Sequence, residues 1–391
     1  MKHFASTPRR ACVLVVALAA GYASATNDTS LSAGSSRMAG MAGAGLALPF
    51  DVAINGQINP ALFARSKRKF DFETSDGYYL GGVTYSALKN DLTNVSGGGT
   101  SASDALQIAE TLGNTPIEFG AHADFALALQ RFVVSFSGGA DVTSDPNASL
   151  EAWSNSGGNT TPNNIQDDIY GYGYQSLNFG YGQPFETKMG QFAFGAQLRF
   201  IKSYYSHYFV NAVTQNNGLA ADTSGTLDGY TWNSSPASEM GGANDLTSTG
   251  TGLDLGFLYS TPDDKNHFGI SALNFVEPKV GFNETLPGQL NQGTNATLAS
   301  QDLNPFRRTV NVGWGGEVAP HLSLAADEVD LGNDAGQESF RAGADYSFGH
   351  GFGIRGGYDA RDRFAVGVSI LGINLAYSGK DPLTLSYMLK Y

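Results

Sequence analysis

Residues 339–348 read Ser339-Phe340-Arg341-Ala342-Gly343-Ala344-Asp345-Tyr346-Ser347-Phe348, and after a short break residues 352–359 read Phe352-Gly353-Ile354-Arg355-Gly356-Gly357-Tyr358-Asp359. Both runs alternate with period two, the signature of a β-strand with two unlike faces. The odd positions carry Arg341, Asp345, Arg355 and Asp359. The even positions carry Phe340, Phe348, Phe352 and Ile354, and the next run adds Phe364, Val366, Val368 and Ile370. An arginine facing lipid at mid-depth would cost roughly 2–4 kcal/mol. The even face costs nothing in hydrocarbon, whereas in water it would be a large adhesive patch. This stretch therefore reads as a wall with lipid on one side and a polar interior on the other.

The same pattern extends through the chain. From Ile117 to Leu129 the apolar residues occupy odd positions, opposite Glu118, His122 and Asp124. The parity then flips to Phe132, Val134 and Phe136, which a two-residue turn at Gln130-Arg131 explains by placing Leu129 and Phe132 on one face. Phe192, Phe194, Leu198 and Phe200 alternate with Gln191, Gln197 and Arg199, and Leu253, Leu255, Phe257 and Tyr259 alternate with Asp254 and Ser260. The final run places Leu383, Leu385, Tyr387, Leu389 and Tyr391 on one face.

Fourteen strands are expected, near 70–86, 117–129, 131–142, 168–181, 190–210, 248–260, 266–282, 307–318, 321–331, 338–348, 352–360, 363–371, 372–379 and 382–391. Short connections alternate with long polar ones through the first two-thirds of the chain, as in transmembrane barrels with short periplasmic turns and long outer loops. Many runs hold ten or more alternating residues, longer than the five or six usual in soluble sheets. That length disfavours the alternative, a soluble β-sandwich or solenoid. The fold class is all-β: a transmembrane antiparallel β-barrel of about fourteen strands.

Composition agrees. Of 391 residues, 41% are hydrophobic and only 15% charged, with 50 glycines and a formal net charge of −13. The chain is too apolar to be largely disordered and too acidic for general nucleic-acid binding. No apolar run reaches the 18 residues of a membrane helix. Residues 1–25 read as a secretory signal: Lys2, Arg9 and Arg10 precede a short apolar run from Ala11 to Ala20, and Ala23-Ser24-Ala25 forms a cleavage site. The single cysteine, Cys12, lies inside that segment, so disulfides, thiol catalysis and cysteine–metal sites are excluded from the mature chain.

Residues 26–69 break the barrel pattern. They are small and glycine-rich, with Arg37, Gly40, Gly43 and Gly45 followed by Asn59, Pro60 and Ala61, and end in the basic Arg65, Lys67, Arg68 and Lys69. Small residues let a backbone pack tightly inside a lumen. The segment is expected to be an N-terminal plug, or hatch, ahead of a barrel at 70–391; the alternative is a flexible periplasmic tail.

The stretch Arg37-Met38-Ala39-Gly40-Met41-Ala42-Gly43-Ala44-Gly45-Leu46-Ala47, then Asn59-Pro60-Ala61-Leu62, then an all-β chain ending in an aromatic residue resembles the FadL-type outer-membrane transport superfamily. The resemblance implies a fourteen-stranded barrel with an N-terminal hatch that passes hydrophobic molecules. The C-terminal third, through Val310-Asn311-Val312-Gly313, Leu322 to Asp327, Phe340 to Tyr346 and Arg355 to Tyr358, is similar to the barrel proteins named conjugal transfer protein TraF. That implies, as a second reading, an accessory or structural part in an envelope apparatus for plasmid transfer. The unrelated thioredoxin-like TraF is excluded by the absence of mature cysteines.

Catalytic chemistry finds little footing. His122 and Asp124 share a polar face with Glu118, but no G-x-S-x-G or H-E-x-x-H motif is present. No enzyme activity, cofactor or metal is expected. Asp263-Asp264 is read as turn chemistry, with calcium a weak alternative. Arg199, Asp254, Asp327, Arg341, Asp345, Arg355 and Asp359 are expected to form a polar network in the lumen, because buried charges need partners. Expected partners are outer-membrane lipid and either small hydrophobic molecules or envelope proteins, with no direct nucleic-acid contact.

Overall fold

The computed structural model describes residues 34–66, 69–81, 117–146, 165–215, 218–221, 226–227, 230–231, 246–280, 283–284, 301–302, 306–335, 338–349, 351–360, 363–378 and 383–390. Among these, fourteen strands form the main ladder. They are β1 (Asp71–Gly81), β2 (Ile117–Leu129), β3 (Phe132–Pro146), β4 (Ile165–Thr187), β5 (Gly190–Gln215), β6 (Leu246–Ser260) and β7 (Asn266–Val276). They continue as β8 (Thr309–Ala319), β9 (Leu322–Val329), β10 (Ser339–Gly349), β11 (Phe352–Asp359), β12 (Arg363–Ile370), β13 (Ile373–Ser378) and β14 (Leu383–Lys390). Residues 1–33, including the expected signal segment, lie outside the described residues.

Every strand pairs antiparallel with its neighbours in sequence, and β1 pairs with β14, from Asp71 opposite Lys390 to Tyr78 opposite Leu383. No main strand is left with a wholly unpaired edge, which removes the aggregation hazard of an open sheet. A short strand, Gly218–Ala221, pairs antiparallel with the end of β5, from Ala212 to Gln215. No helix among the described residues is long and apolar enough to cross a membrane.

The antiparallel course puts the six short turns at one end of the ladder, together with Asp71 and Lys390. The longer connections leave from the other end. The turns place Gln130, His321 and Leu371 at positive φ, which is uncommon for residues with a side chain, and Gly372 at positive φ, which glycine adopts freely.

The two faces separate as the alternation requires. Outward-pointing Phe194, Phe340, Phe352, Ile354, Phe364, Val366, Val368 and Ile370 are all exposed, Phe364 at 71%. Inward-pointing Asp254, Asp327, Arg341, Asp345, Arg355 and Asp359 are all 9% exposed or less. Leu129 and Phe132 share the outward face across the Gln130-Arg131 turn. Asp76 is an exception: the register of β1 sets it outward, half-buried, beside Ala123 and Leu385.

Several boundaries differ from expectation: β3 runs on to Pro146, and β4 already begins at Ile165. β4 and β5 run on to Thr187 and Gln215, with Pro184 paired opposite Ala193, so the connection expected between 181 and 190 shrinks to Lys188-Met189. β7 stops at Val276 rather than continuing to 282. Asn274 there adopts φ 51, the register against β6 shifts, and Pro278 supplies no N–H for further pairing.

Inside the ring lies the segment 34–66, with helix α1 (Ser36–Ala39), helix α2 (Val52–Asn55) and a 3-10 helix (Pro60–Arg65). Among the described residues it carries many of the largest fully buried side chains, including Met38, Met41, Ile54, Leu62 and Phe63. Apolar clusters join it to the wall: Leu62 to Ala193 and Leu258, and Phe63 to Ala126, Ala128 and Val133. The core is thus the contact between this segment and the inward face of the strands.

Candidate functional site

Local sequence explains how the inner segment holds its course. Ser35 caps α1, its hydroxyl accepting from the Met38 N–H, while Asn55 Oδ1 accepts the Ser35 N–H at 2.8 Å. Gly43 at φ 81 and Gly45 at φ 136 turn the chain where a side chain would be strained. Asn59 caps the 3-10 helix through the Ala61 N–H at 3.2 Å, with Pro60 at its first position. The Asn59 amide also donates to the Leu46 carbonyl at 3.1 Å and to that of Phe257 on β6 at 3.4 Å.

Glycines in the wall make room for this path. A Cβ on Gly195 or Gly256 would collide with backbone at Pro60–Ala61, one on Gly182 with Ala64, and one on Gly343 or Gly357 with Met41. Gly40 is itself close enough to β12 that a Cβ would stand 3.1 Å from the Gly367 Cα. These strand glycines are docking positions for a second layer of backbone.

The expected polar residues line the interior in three groups. Arg341 Nε stands 3.3 Å from Asp359, which also binds the Ser339 hydroxyl, and the register places Asp327, Arg341 and Asp359 in one row across β9, β10 and β11. Asp345 lies opposite Arg355, 3.2 Å away, and also pairs with Arg37 of the inner segment. Arg355 reaches on to Asn374 on β13 at 3.1 Å. Arg199 and Asp254, at 3.6 Å, form the third group on β5 and β6, and Asp254 accepts the Asn274 N–H at 2.6 Å, which fixes the kink in β7. Asp327 is engaged by the inner segment, accepting the N–H groups of Gly45 and Leu46.

Several contacts carry no signal in the sequence pattern. Gln57 of the inner segment accepts from the Ser137 hydroxyl at 2.7 Å and from Asn178 at 3.4 Å. Glu73 on β1 accepts the Ile54 N–H at 2.9 Å. Arg65 pairs with Asp264 in the β6–β7 turn at 2.6 Å and with Gln191. The neighbouring Asp263 is held below the usual carboxylate range by the Thr261 hydroxyl and the Lys265 N–H. His122 lies against Gly77, and Asp124 is buried opposite Ser137. Among the described residues no group of three or more potential metal ligands occurs.

Toward the end with the long connections, the interior becomes aromatic. After β7 the chain turns inward, burying Val280 against Gly250, and Ser203 donates to the Val280 carbonyl at 3.0 Å. Phe306, just before β8, is buried edge-on to Tyr174 at 5.3 Å, with the Arg199 guanidinium 5.1 Å from its ring. Tyr172 and Ile201 complete this apolar patch. Phe306 belonged to a connection expected to be polar and external; its isolation among Asn304, Pro305, Arg307 and Arg308 was the available clue.

No family model matches this chain, and no curated protein matches it. Several solved structures resemble it over most of their length. The Ralstonia pickettii toluene transporter TbuX has a TM-score of 0.48 and 13% identity, covering 91% of this chain and 98% of that chain. The CymD monoaromatic hydrocarbon channel has a TM-score of 0.47 and 12% identity, covering 92% and 97%. A Pseudomonas aeruginosa FadL homologue has a TM-score of 0.45 and 12% identity, covering 91% and 95%. The fold of this chain rests on its own strand pairing rather than on these likenesses.

Proposed function

We propose that this protein is a FadL-like barrel of the bacterial outer membrane that lets small hydrophobic molecules pass, with residues 26–69 as its plug. The observation that carries this reading is the two-sided wall: an exposed apolar band outside, and inside a polar lining filled by residues 34–66. Such a surface is stable when hydrocarbon bathes the band. Ion pairs and hydrogen bonds from Asp327, Asp345, Glu73 and Asp264 hold the plug. The buried patch of Tyr172, Tyr174, Ile201, Val280 and Phe306 offers an apolar cargo its first contact inside.

Passage would be passive, down the cargo's own concentration gradient. The second reading, a TraF-type accessory part in plasmid transfer, has no described residue that favours it. The test is uptake of a labelled aromatic hydrocarbon or fatty acid into liposomes holding the protein, with and without residues 26–62. The protein should speed uptake, and removing the segment should change the rate. Uptake indifferent to the protein would overturn the proposal.

A further inference from the structure

The outward face is apolar over most of its area, but one place on it combines a cation with a groove. A depression of about 490 Å³ is lined by Phe136, Leu177, Phe200, Gln175, Lys202 and Thr249, among others. The strand registers order these side chains into rows. Gln175, Lys202 and Thr249 lie side by side across β4, β5 and β6. One step toward the short-turn end, Phe136, Leu177 and Phe200 form a second row across β3, β4 and β5. The polar row thus lies toward the long connections, and the apolar row toward the middle of the wall.

Lys202 is the one cation on the outward face of the strand bodies among the described residues; Arg131, Lys188 and Lys265 all lie in turns. Its ammonium is 4.9 Å from the Tyr204 ring, whose hydroxyl accepts from the Gln175 amide. No described carboxylate pairs with it. A cation at the edge of an apolar band is stabilised by an anion at headgroup level. We infer that this groove binds one phosphate-bearing membrane lipid, its phosphate on Lys202 and Gln175 and its acyl chain along Phe136, Leu177 and Phe200. The inference rests on the membrane-embedded reading proposed above. The groove's polarity matches a lipid in the leaflet at the long-connection end, head outward and chain toward the membrane centre. An inorganic phosphate would satisfy Lys202 alone and leave the apolar row uncovered.

Native mass spectrometry of the detergent-purified barrel tests this, with phosphatidylglycerol and diacylglycerol of identical chains as competing probes. The wild-type protein should retain one phosphatidylglycerol with about fivefold preference, the effect of one lysine near a membrane surface. Lys202→Met should lose the preference and Lys202→Arg keep it, each variant first shown to be folded by its heat-dependent gel mobility. Equal retention of the two lipids by the wild type, or an undiminished preference in Lys202→Met, would overturn the inference. Lipid retention is read without any cargo, so a failed uptake experiment and a failed lipid experiment remain distinct results.

Discussion

Asp327 on β9 accepts the N–H of Gly45, 282 residues earlier in the chain, at 2.6 Å. The same oxygen accepts the Leu46 N–H at 2.9 Å. One buried carboxylate therefore gathers two backbone donors at the turn of the inner segment, and charge-assisted bonds of this kind are stronger than neutral ones. Asp327→Ala should loosen this turn, at a cost of about 1–3 kcal/mol for the donors left unsatisfied. Limited proteolysis should then cut the chain near residue 45 faster than in the wild type, with the barrel itself intact. Unchanged cleavage would show that this carboxylate does not anchor the segment.

Adjacent glycines on β11 make a sharper comparison. A Cβ on Gly357 would collide with backbone of Met41, whereas one on Gly356 meets only the Ala365 carbonyl at 3.7 Å. Gly357→Ala should lower the thermal unfolding midpoint by the equivalent of about 1–3 kcal/mol of overpacking. Gly356→Ala should change it by no more than about 0.5 kcal/mol. Equal effects would argue against a tightly seated inner segment.

These positions also show what the sequence could and could not reveal. The faces were legible, because an outward Phe364 and an inward Arg355 obey a period of two wherever one side is apolar. The pairs were not. That Arg341 meets Asp359, and that Asp345 meets both Arg355 and Arg37, depends on strand register and on a segment hundreds of residues away. β7 was expected to be too long because the left-handed turn at Asn274 is set by Asp254 on the neighbouring strand, a tertiary cause. The Gly-Ala composition of 37–47 signalled close packing, but the strands that would meet it appeared only in three dimensions.

The Arg341–Asp359 pair is buried on both sides, with side chains 11% and 4% exposed. Removing one partner leaves an uncompensated charge, at about 3–5 kcal/mol, while replacing both with apolar residues of similar volume is often neutral. Arg341→Met should therefore lower the temperature at which the barrel loses its compact gel mobility, and Arg341→Met with Asp359→Leu should recover most of the loss. A double variant as unstable as the single one would show that the charges do more than satisfy each other.

Charge on the outer band should be costly by a different route. Val366 is 59% exposed on β12, and Val366→Arg should cost roughly 2–4 kcal/mol if that position lies near the middle of a bilayer. The same substitution would be close to neutral if water covered the band. Folding yield into lipid vesicles across a denaturant series separates these outcomes.

The most direct measurement follows the two faces along one hairpin. The only cysteine is Cys12, so spin labels can be placed singly on a Cys12→Ser background at Phe352, Ile354, Phe364, Ala365, Val366 and Val368. In lipid vesicles, labels at Phe352, Ile354, Phe364, Val366 and Val368 should be relaxed by oxygen dissolved in hydrocarbon and shielded from a water-soluble nickel complex, while Ala365 should be shielded from oxygen. Relaxation by the nickel complex at Phe364, Val366 and Val368, or oxygen access at Ala365 equal to that of its neighbours, would contradict the account.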